Sequence, residues 1–349
     1  MLKTIKGCFA TCYFTTFGAG KLSSMKHITI LVPESSVMQA IADPQYLFNA
    51  ANQFLAASGK EPQFRVQLVG LSEEVQIANG IFSIHTDAQP ENAVPTDLVI
   101  IPALFGDMPG AIEKNKKFIP WINEQYDQGA EVASLCVGAF LLASTGLLNG
   151  KKCSTHWGFQ NEFRSLFPEV EVIDGSIITE EHRIYSSGGA NSYWNLLLHL
   201  LEKYSDRETA ILASKYFAID IDRDSQNAFA MFQGQKNHSD EAIKKAQEYI
   251  EMHIQERISV DELADHVAVG RRSFERRFKL ATNNTVLEYI HRVKIEAAKR
   301  SFETSRKNIN EVMFDVGYTD TKAFRSAFKK VTGLTPIEYR NKYNKMAAA

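Results

Sequence analysis

The hydrophobic pattern of this chain changes period once, and that change limits the folds open to it. Short runs rich in Val, Ile and Leu stand at His27 to Val32, Phe64 to Val69, Asp97 to Ile101 and Glu131 to Leu135. Longer amphipathic stretches such as Lys116 to Gln128 and Val137 to Leu148 lie between several of them, as the crossovers of a parallel sheet require. The pattern predicts an α/β layer architecture. Ser176 to Thr179 and Arg183 to Ser186 add a hairpin, and a helix follows from about Asn191 to Lys203. The polar, aperiodic segment Gln233 to Asp240 reads as a linker. Beyond it apolar residues recur at three and four: Ile243, Ala246, Ile250 and Ile254 on one helix, then Leu263, Val267, Phe274 and Phe278 on others. That part is expected to be all helical.

A length of 349 residues agrees with two domains. Apolar residues at 44% and charged ones at 23% place the chain among globular rather than disordered sequences. No run of eighteen apolar residues offers a spanning helix, so a soluble protein without a membrane partner is expected. Cys8, Cys12, Cys136 and Cys153 are too few and too unevenly placed for a disulfide framework, which favours reduced thiols and a cytoplasmic address. Lys3 and Lys6 before a mildly apolar stretch faintly suggest a signal peptide, but Thr11, Thr15, Thr16, Gly18 and Gly20 interrupt it. Met25-Lys26-His27 leads straight into an apolar run, so residues 1–25 read as disordered or as preceding the true start. Charge is unevenly divided: from Lys236 onward 22 Lys and Arg face 16 Asp and Glu, a net of +6, leaving 17 against 25 before it, a net of −8. A basic C-terminal third points to a polyanion.

Two C-terminal segments share one plan. In the first, Val260 to Val267 makes a short helix, Ala268-Val-Gly270 turns the chain and Arg271 to Phe278 opens a second helix. In the second, Asn308 to Val316 is followed by Gly317-Tyr-Thr-Asp320 and then Thr321 to Phe328. This is the helix-turn-helix plan, whose second helix enters the major groove, and a turn glycine eases the backbone. Phe274 with Phe278, and Phe324 with Phe328, are spaced by four and anchor their helices inward. Arg271, Arg272, Glu275 and Arg276 then face out in one unit, and Thr321, Lys322, Arg325 and Lys329 in the other. Arginine can read guanine bidentately, whereas lysine mostly neutralises phosphate. Val286 to Glu303 reads as one helix of about 27 Å at 1.5 Å per residue, a strut that lets two helices reach major-groove faces roughly 34 Å apart.

These residues resemble the AraC/XylS family of regulators over about residues 240 to 342. The resemblance is carried by Gly317-Tyr318, Phe324, Phe328-Lys329-Lys330, Gly333-Leu-Thr-Pro336 and Tyr339-Arg340, with Leu263-Ala264, Arg276 and Phe278 in the first unit. Gly270 departs from the family's frequent serine cap, and Val312-Met313 from its usual Ile-Ala.

In the first half, Val132 to Phe140 turns from strand to helix with Cys136 at the bend, the geometry of a nucleophile elbow. Cys153-Ser-Thr-His156-Trp157 and Ser186-Ser-Gly188-Gly189-Ala190 follow. Together they resemble the PfpI-type branch of the class I glutamine amidotransferase-like superfamily over residues 26 to 205, which implies a flavodoxin-like fold. In catalytic members a cysteine, a histidine and an acid cooperate beside a Gly-Gly oxyanion loop. Here Val137 stands where proteolytic relatives often carry histidine, and Pro102-Ala103-Leu104 replaces Pro-Gly-Gly. No acid aligns before Pro44; Glu34 and Asp43 are off register. Cys136 is thus open to three readings, a small apolar residue at a tight bend, a ligand-lining or redox-sensing thiol, or a nucleophile.

The combination resembles GlxA-like regulators. It implies a flavodoxin-like α/β domain at 26–205, a connecting segment at 206–239 and an AraC-type DNA-binding domain at 240–342. The expected protein is a noncatalytic, homodimeric regulator of double-stranded DNA that uses no cofactor or metal and admits RNA polymerase as a further partner. A small-molecule effector is expected in a cleft lined by Cys136, His156, Ala103, Leu104, Gly188 and Gly189, at the carboxyl ends of the strands. The rival is a thiol hydrolase or deglycase fused to a DNA-binding domain. Glu34 or Asp43 within reach of a Cys136 and His156 pair favours that enzyme, and an open pocket without them favours the sensor.

Overall fold

The computed structural model describes residues 25–221, 223–236 and 238–344. The reading of residues 1–25 therefore falls outside the described residues except for Met25. The first half is built on a six-stranded sheet. Its strands are β1 (Lys26–Val32), β2 (Phe64–Gly70), β5 (Leu98–Ile101), β6 (Glu131–Ser134), β9 (Ile178–Glu181) and β10 (Ile184–Ser187). Their order is β2-β1-β5-β6-β10-β9. All neighbours run parallel except β9, which pairs antiparallel with β10. Taken alone, the five parallel strands follow the flavodoxin-like order 2-1-3-4-5. Ile28 to Val32 and Leu98 to Ile101 are continuously buried, because helices cover both faces of such a sheet.

Those layers comprise α1 (Met38–Ala57), α2 (Met108–Asn115), α3 (Phe118–Asp127), α4 (Ala139–Ser144), α5 (Gln160–Leu166), α6 (Tyr193–Tyr204) and α7 (Arg207–Tyr216). Two small pairs stand apart from the main sheet, β3 (Glu74–Ile77) with β4 (Phe82–His85), and β7 (Lys152–Cys153) with β8 (Glu171–Val172). The stretch expected as one helix from Val137 to Leu148 is divided. A 3-10 turn at Cys136–Gly138 precedes α4, and Gly146, at φ +81°, lies just beyond its end. The connecting segment holds an unforeseen element, α7, which packs on α1 and α6 and gives Ala213 to the same core.

After residue 240 only helices follow: α8 (Glu241–Met252), α9 (Val260–His266), α10 (Arg271–Thr282), α11 (Val286–Thr304), α12 (Ile309–Asp315), α13 (Thr321–Thr332) and α14 (Pro336–Tyr343). Ser259, Thr285, Asn308 and Thr335 each form a reciprocal capping box with the glutamate three residues on, which satisfies the free amides at those helix starts. Two separate cores form. One joins Ile243, Leu263, Phe274 and Phe278 to Tyr289 and Ile290; the other joins Val312, Phe324 and Phe328 to Ile295, Ala298 and Phe302. Since α11 contributes to both, it is the beam on which the two units are mounted.

Candidate nucleic-acid interface and sensor cleft

In each helix-turn-helix unit the phenylalanine pair is buried, and its spacing of four fixes which side of the second helix is left outside. Arg272, Glu275 and Arg276 of α10, and Lys322, Arg325 and Lys329 of α13, are exposed. Thr321 is half-buried at the start of α13. Arg271 is also exposed but donates to both carboxylate oxygens of Asp261, at 3.0 and 2.8 Å, and lies 3.6 Å from Glu275. Among the described residues Arg272, Arg276, Lys322 and Arg325 have no ion pair, so their charge is free for a phosphate or a base edge. Lys322, Arg325, Lys329, Lys330 and both flanking threonines line a cavity of about 640 Å³ along α13.

The two units start their second helices differently. Asp320 caps α13 by accepting from the Ala323 amide at 2.6 Å, whereas Gly270 gives α10 no side-chain cap. Gly317 turns the second unit at φ +72°; in the first, the left-handed residue is Ala268 at φ +52°, not Gly270. Between the units, Lys294 is buried and donates to the Glu256 carbonyl at 2.8 Å. Burial lowers its pKa.

In the α/β domain the sharp turn after β6 places Cys136 at φ +56°. Gly138 is required there, because a β-carbon would lie 2.5 Å from the Pro102 carbonyl oxygen. The Cys136 amide donates to Ser187 Oγ at 3.2 Å, and its carbonyl accepts from Thr155 Oγ1 at 3.1 Å. The residue is only 5% exposed, and burial pushes its thiol up to about 12. Cys153, also buried, is likewise raised to about 12.

The triad elements do not converge. His156 Nδ1 accepts from the Gly158 amide at 3.0 Å while its ring stands beside Trp157 and Phe159, and burial lowers its pKa. No hydrogen bond joins it to Cys136 among the described residues. Asp43 Oδ2 instead accepts from Tyr193 at 2.6 Å and from Trp194 Nε1 at 2.9 Å. Burial, and then the hydrogen bond to Asp43, raise the pKa of the Tyr193 hydroxyl. The Glu34 backbone amide is held by Asn115 Oδ1 at 2.9 Å. Ala103 and Leu104 are buried, their segment tied to residues 35–37 by Val37 N to Ala103 O and Phe105 N to Ser35 O.

Where the sequence predicts Gly188 and Gly189 as lining of an open cleft, another part of the chain packs against them. Gln226, from the connecting segment, lies there so tightly that a β-carbon on Gly188 would come within 2.0 Å of its Nε2. Sequence reasoning missed Gln226 and Tyr193, which no motif marks, and gave no role to Thr155 and Ser187 although they lie inside the quoted Cys153 and Ser186 motifs; all four act through groups brought together from distant segments.

Comparison with known proteins follows the same division. Residues 263–342 match the model of a helix-turn-helix domain, and residues 49–203 match that of the DJ-1/PfpI family. The HTH-type transcriptional regulator GbdR of Pseudomonas aeruginosa is 25% identical over 316 residues, covering 90% of this chain and 83% of that protein. The HTH-type transcriptional regulator ArgR of the same species is 28% identical over 214 residues, or 61% of this chain and 65% of that protein. A crystallised Vibrio parahaemolyticus protein, described as a transcriptional regulator, shares the fold at 22% identity. Its TM-score is 0.50, over 55% of this chain and 99% of that one. Matched in both of its parts, the chain carries a DJ-1/PfpI-like domain ahead of a helix-turn-helix domain and is similar over most of its length to HTH-type transcriptional regulators.

Proposed function

We propose that this DNA-binding regulator reads its operator with α10 and α13, and that residues 26–205 serve as a noncatalytic, ligand-sensing and dimerising domain. The base- and phosphate-contacting residues are Arg272, Glu275 and Arg276 in one unit and Thr321, Lys322, Arg325 and Lys329 in the other, with Arg271 at the edge. Residues 240–342 form the output domain and 206–239 the connection. The protein acts in the cytoplasm as a homodimer, responds to a small-molecule effector and contacts RNA polymerase.

One observation carries this reading: two units repeat a buried phenylalanine pair beneath exposed cations, of which Arg272, Arg276, Lys322 and Arg325 have no ion-pair partner among the described residues. Unneutralised cations on a helix that projects from its own core suit phosphate and base edges. The noncatalytic reading rests on a buried thiol that makes no hydrogen bond to His156. No helix among the described residues is long and apolar enough to cross a membrane.

Selection of bound duplexes from a random pool, using the purified chain, tests the reading. It should enrich a site with two half-sites about one helical turn apart, and affinity should fall steeply with salt. Recovery of no preferred sequence would overturn it.

A further inference from the structure

We infer that Gln226 fills, in cis, a subsite specific for a primary carboxamide beside the Cys136 elbow. The strap it anchors joins that subsite to the DNA-binding domain, so a free molecule bearing a primary carboxamide acts as effector by displacing it. This inference rests on the sensor reading and names the chemistry the sensor recognises.

The subsite is built from backbone. Gln226 Nε2 donates to the carbonyls of Thr155 and Ser176, both at 3.0 Å, and Gln226 Oε1 accepts from the Trp157 amide at 3.2 Å. Two acceptors beside one donor match a carboxamide. A carboxylate would set an oxygen against two carbonyls, and an ammonium would leave the Trp157 N–H without an acceptor. Gln226 is 1% exposed, so a mismatched group there finds no water to repair it. The elbow is one bond away. Thr155 holds the Cys136 carbonyl through its hydroxyl, and Ser187, next to Gly188, takes the Cys136 amide.

The same segment is fastened at its other end to the output domain. On the sensor side Ile177 N donates to Asp224 O at 3.1 Å and Gln226 N to Gly175 O at 2.8 Å. On the output side Tyr343 Oη donates to Ala228 O at 3.1 Å, Lys299 Nζ to Ala230 O at 2.5 Å and Phe232 N to Glu296 Oε2 at 3.1 Å. Lys299 and Glu296 belong to α11, the beam shared by both helix-turn-helix units. Withdrawal of the Gln226 side chain therefore leaves only those backbone bonds to hold the sensor end of a strap whose other end is fixed to α11. A tethered side chain competes at an effective concentration of about millimolar, so a free effector of equal intrinsic affinity displaces it only above that concentration, and a tighter one at proportionately less.

The test uses the full chain, with Gln226→Ala to vacate the subsite and Gln226→Glu to place a carboxylate in it, each first checked for a cooperative thermal transition. Propionamide, the smallest analogue of the glutamine side chain, is the probe and propionate its control. Propionamide should bind Gln226→Ala at least tenfold more tightly than the unaltered chain, and propionate should not. Hydrogen exchange of residues 223–232 should accelerate at least tenfold in both variants, and excess propionamide should accelerate it in the unaltered chain. Equal binding of propionamide and propionate, or exchange in Gln226→Glu as slow as in the unaltered chain, would overturn the inference. Neither readout uses DNA, so failure here is separable from failure of the DNA-binding reading, which duplex selection decides.

Discussion

Gly317 approaches Gln255 so closely that a β-carbon on it would stand 2.5 Å from the Gln255 carbonyl oxygen. Lys294 Nζ would be 2.7 Å from the same atom. The turn of the second helix-turn-helix unit is thereby locked against the loop after α8, in the first. Gly317→Ala adds both a left-handed strain of about 1 to 2 kcal/mol and an overpacking cost of about 1 to 3 kcal/mol. Thermal or denaturant unfolding should show a loss of about 2 to 5 kcal/mol. A variant as stable as the parent would mean that the two units are not in this contact.

The first unit carries the opposite imbalance. Ala268 holds φ +52° where the second unit has its glycine. Ala268→Gly relieves a left-handed strain of about 1 to 2 kcal/mol while giving back unfolded-state entropy worth about 0.4 to 1 kcal/mol, so a net gain centred on about 0.8 kcal/mol and no larger than about 1.6 is expected. Urea titration checks this through a rise in midpoint at constant slope.

On the DNA face, replacing Arg272, Arg276, Lys322 or Arg325 by alanine should weaken binding to the selected site by about 1 to 3 kcal/mol where the residue reads a base. The thermal midpoint should barely move, because none of the four makes an ion pair among the described residues. Arg271→Ala should weaken binding less, since its guanidinium is already engaged by Asp261. Fluorescence anisotropy at fixed salt decides; unchanged affinity in all four variants would remove α10 and α13 from the groove.

Legibility in the sequence followed how local each cause is. The parallel strands showed themselves as buried Val and Ile runs, and the helix-turn-helix units through the phenylalanine spacing of four. Helix α1 did not, because Pro44 within it reads as a breaker. The two residues of β7 are too few to display alternation; the hairpin of β9 and β10 was legible, although its tight turn is made by His182 and Arg183, both at positive φ, without the usual glycine. At the cleft the motif residues Cys136 and His156 stood out, yet what decides their chemistry is long-range. Asp43 is bonded to residues 150 and 151 positions away, and Gln226 lies 71 positions from Thr155. No local pattern records such pairings.

Asp43 illustrates the difference between an acid near a thiol and a catalytic acid. Its carboxylate is bonded to Tyr193 and Trp194, so it anchors α6 to α1 rather than orienting His156. Asp43→Asn should cost about 1 to 3 kcal/mol of stability through the weakened, partly buried hydrogen bonds and leave the reactivity of Cys136 unchanged. Unfolding curves and iodoacetamide labelling, run on the same samples, check both halves of that statement.

The pH dependence of the two buried thiols gives the last expectation. Cys136 and Cys153 both stand at about 12 in the folded chain, raised by burial, against about 8.5 in an unfolded one. Below pH 8.5 both states keep the thiols protonated and the contribution to stability is fully present. Between about 8.5 and 12 the unfolded chain loses protons that the folded chain retains, so stability falls as pH rises, by up to about 1.4 kcal/mol per unit for each thiol. Replacing both cysteines by alanine should flatten this alkaline decline. At pH 8 the native thiol of Cys136 should react with iodoacetamide more than a hundredfold more slowly than free cysteine. The purified chain should turn over no peptide, amide or glyoxal-type substrate above background, and Cys136→Ala should bind DNA without effector as the parent does. Rapid labelling at pH 8, together with turnover that disappears in Cys136→Ala, would replace the sensor by a thiol enzyme.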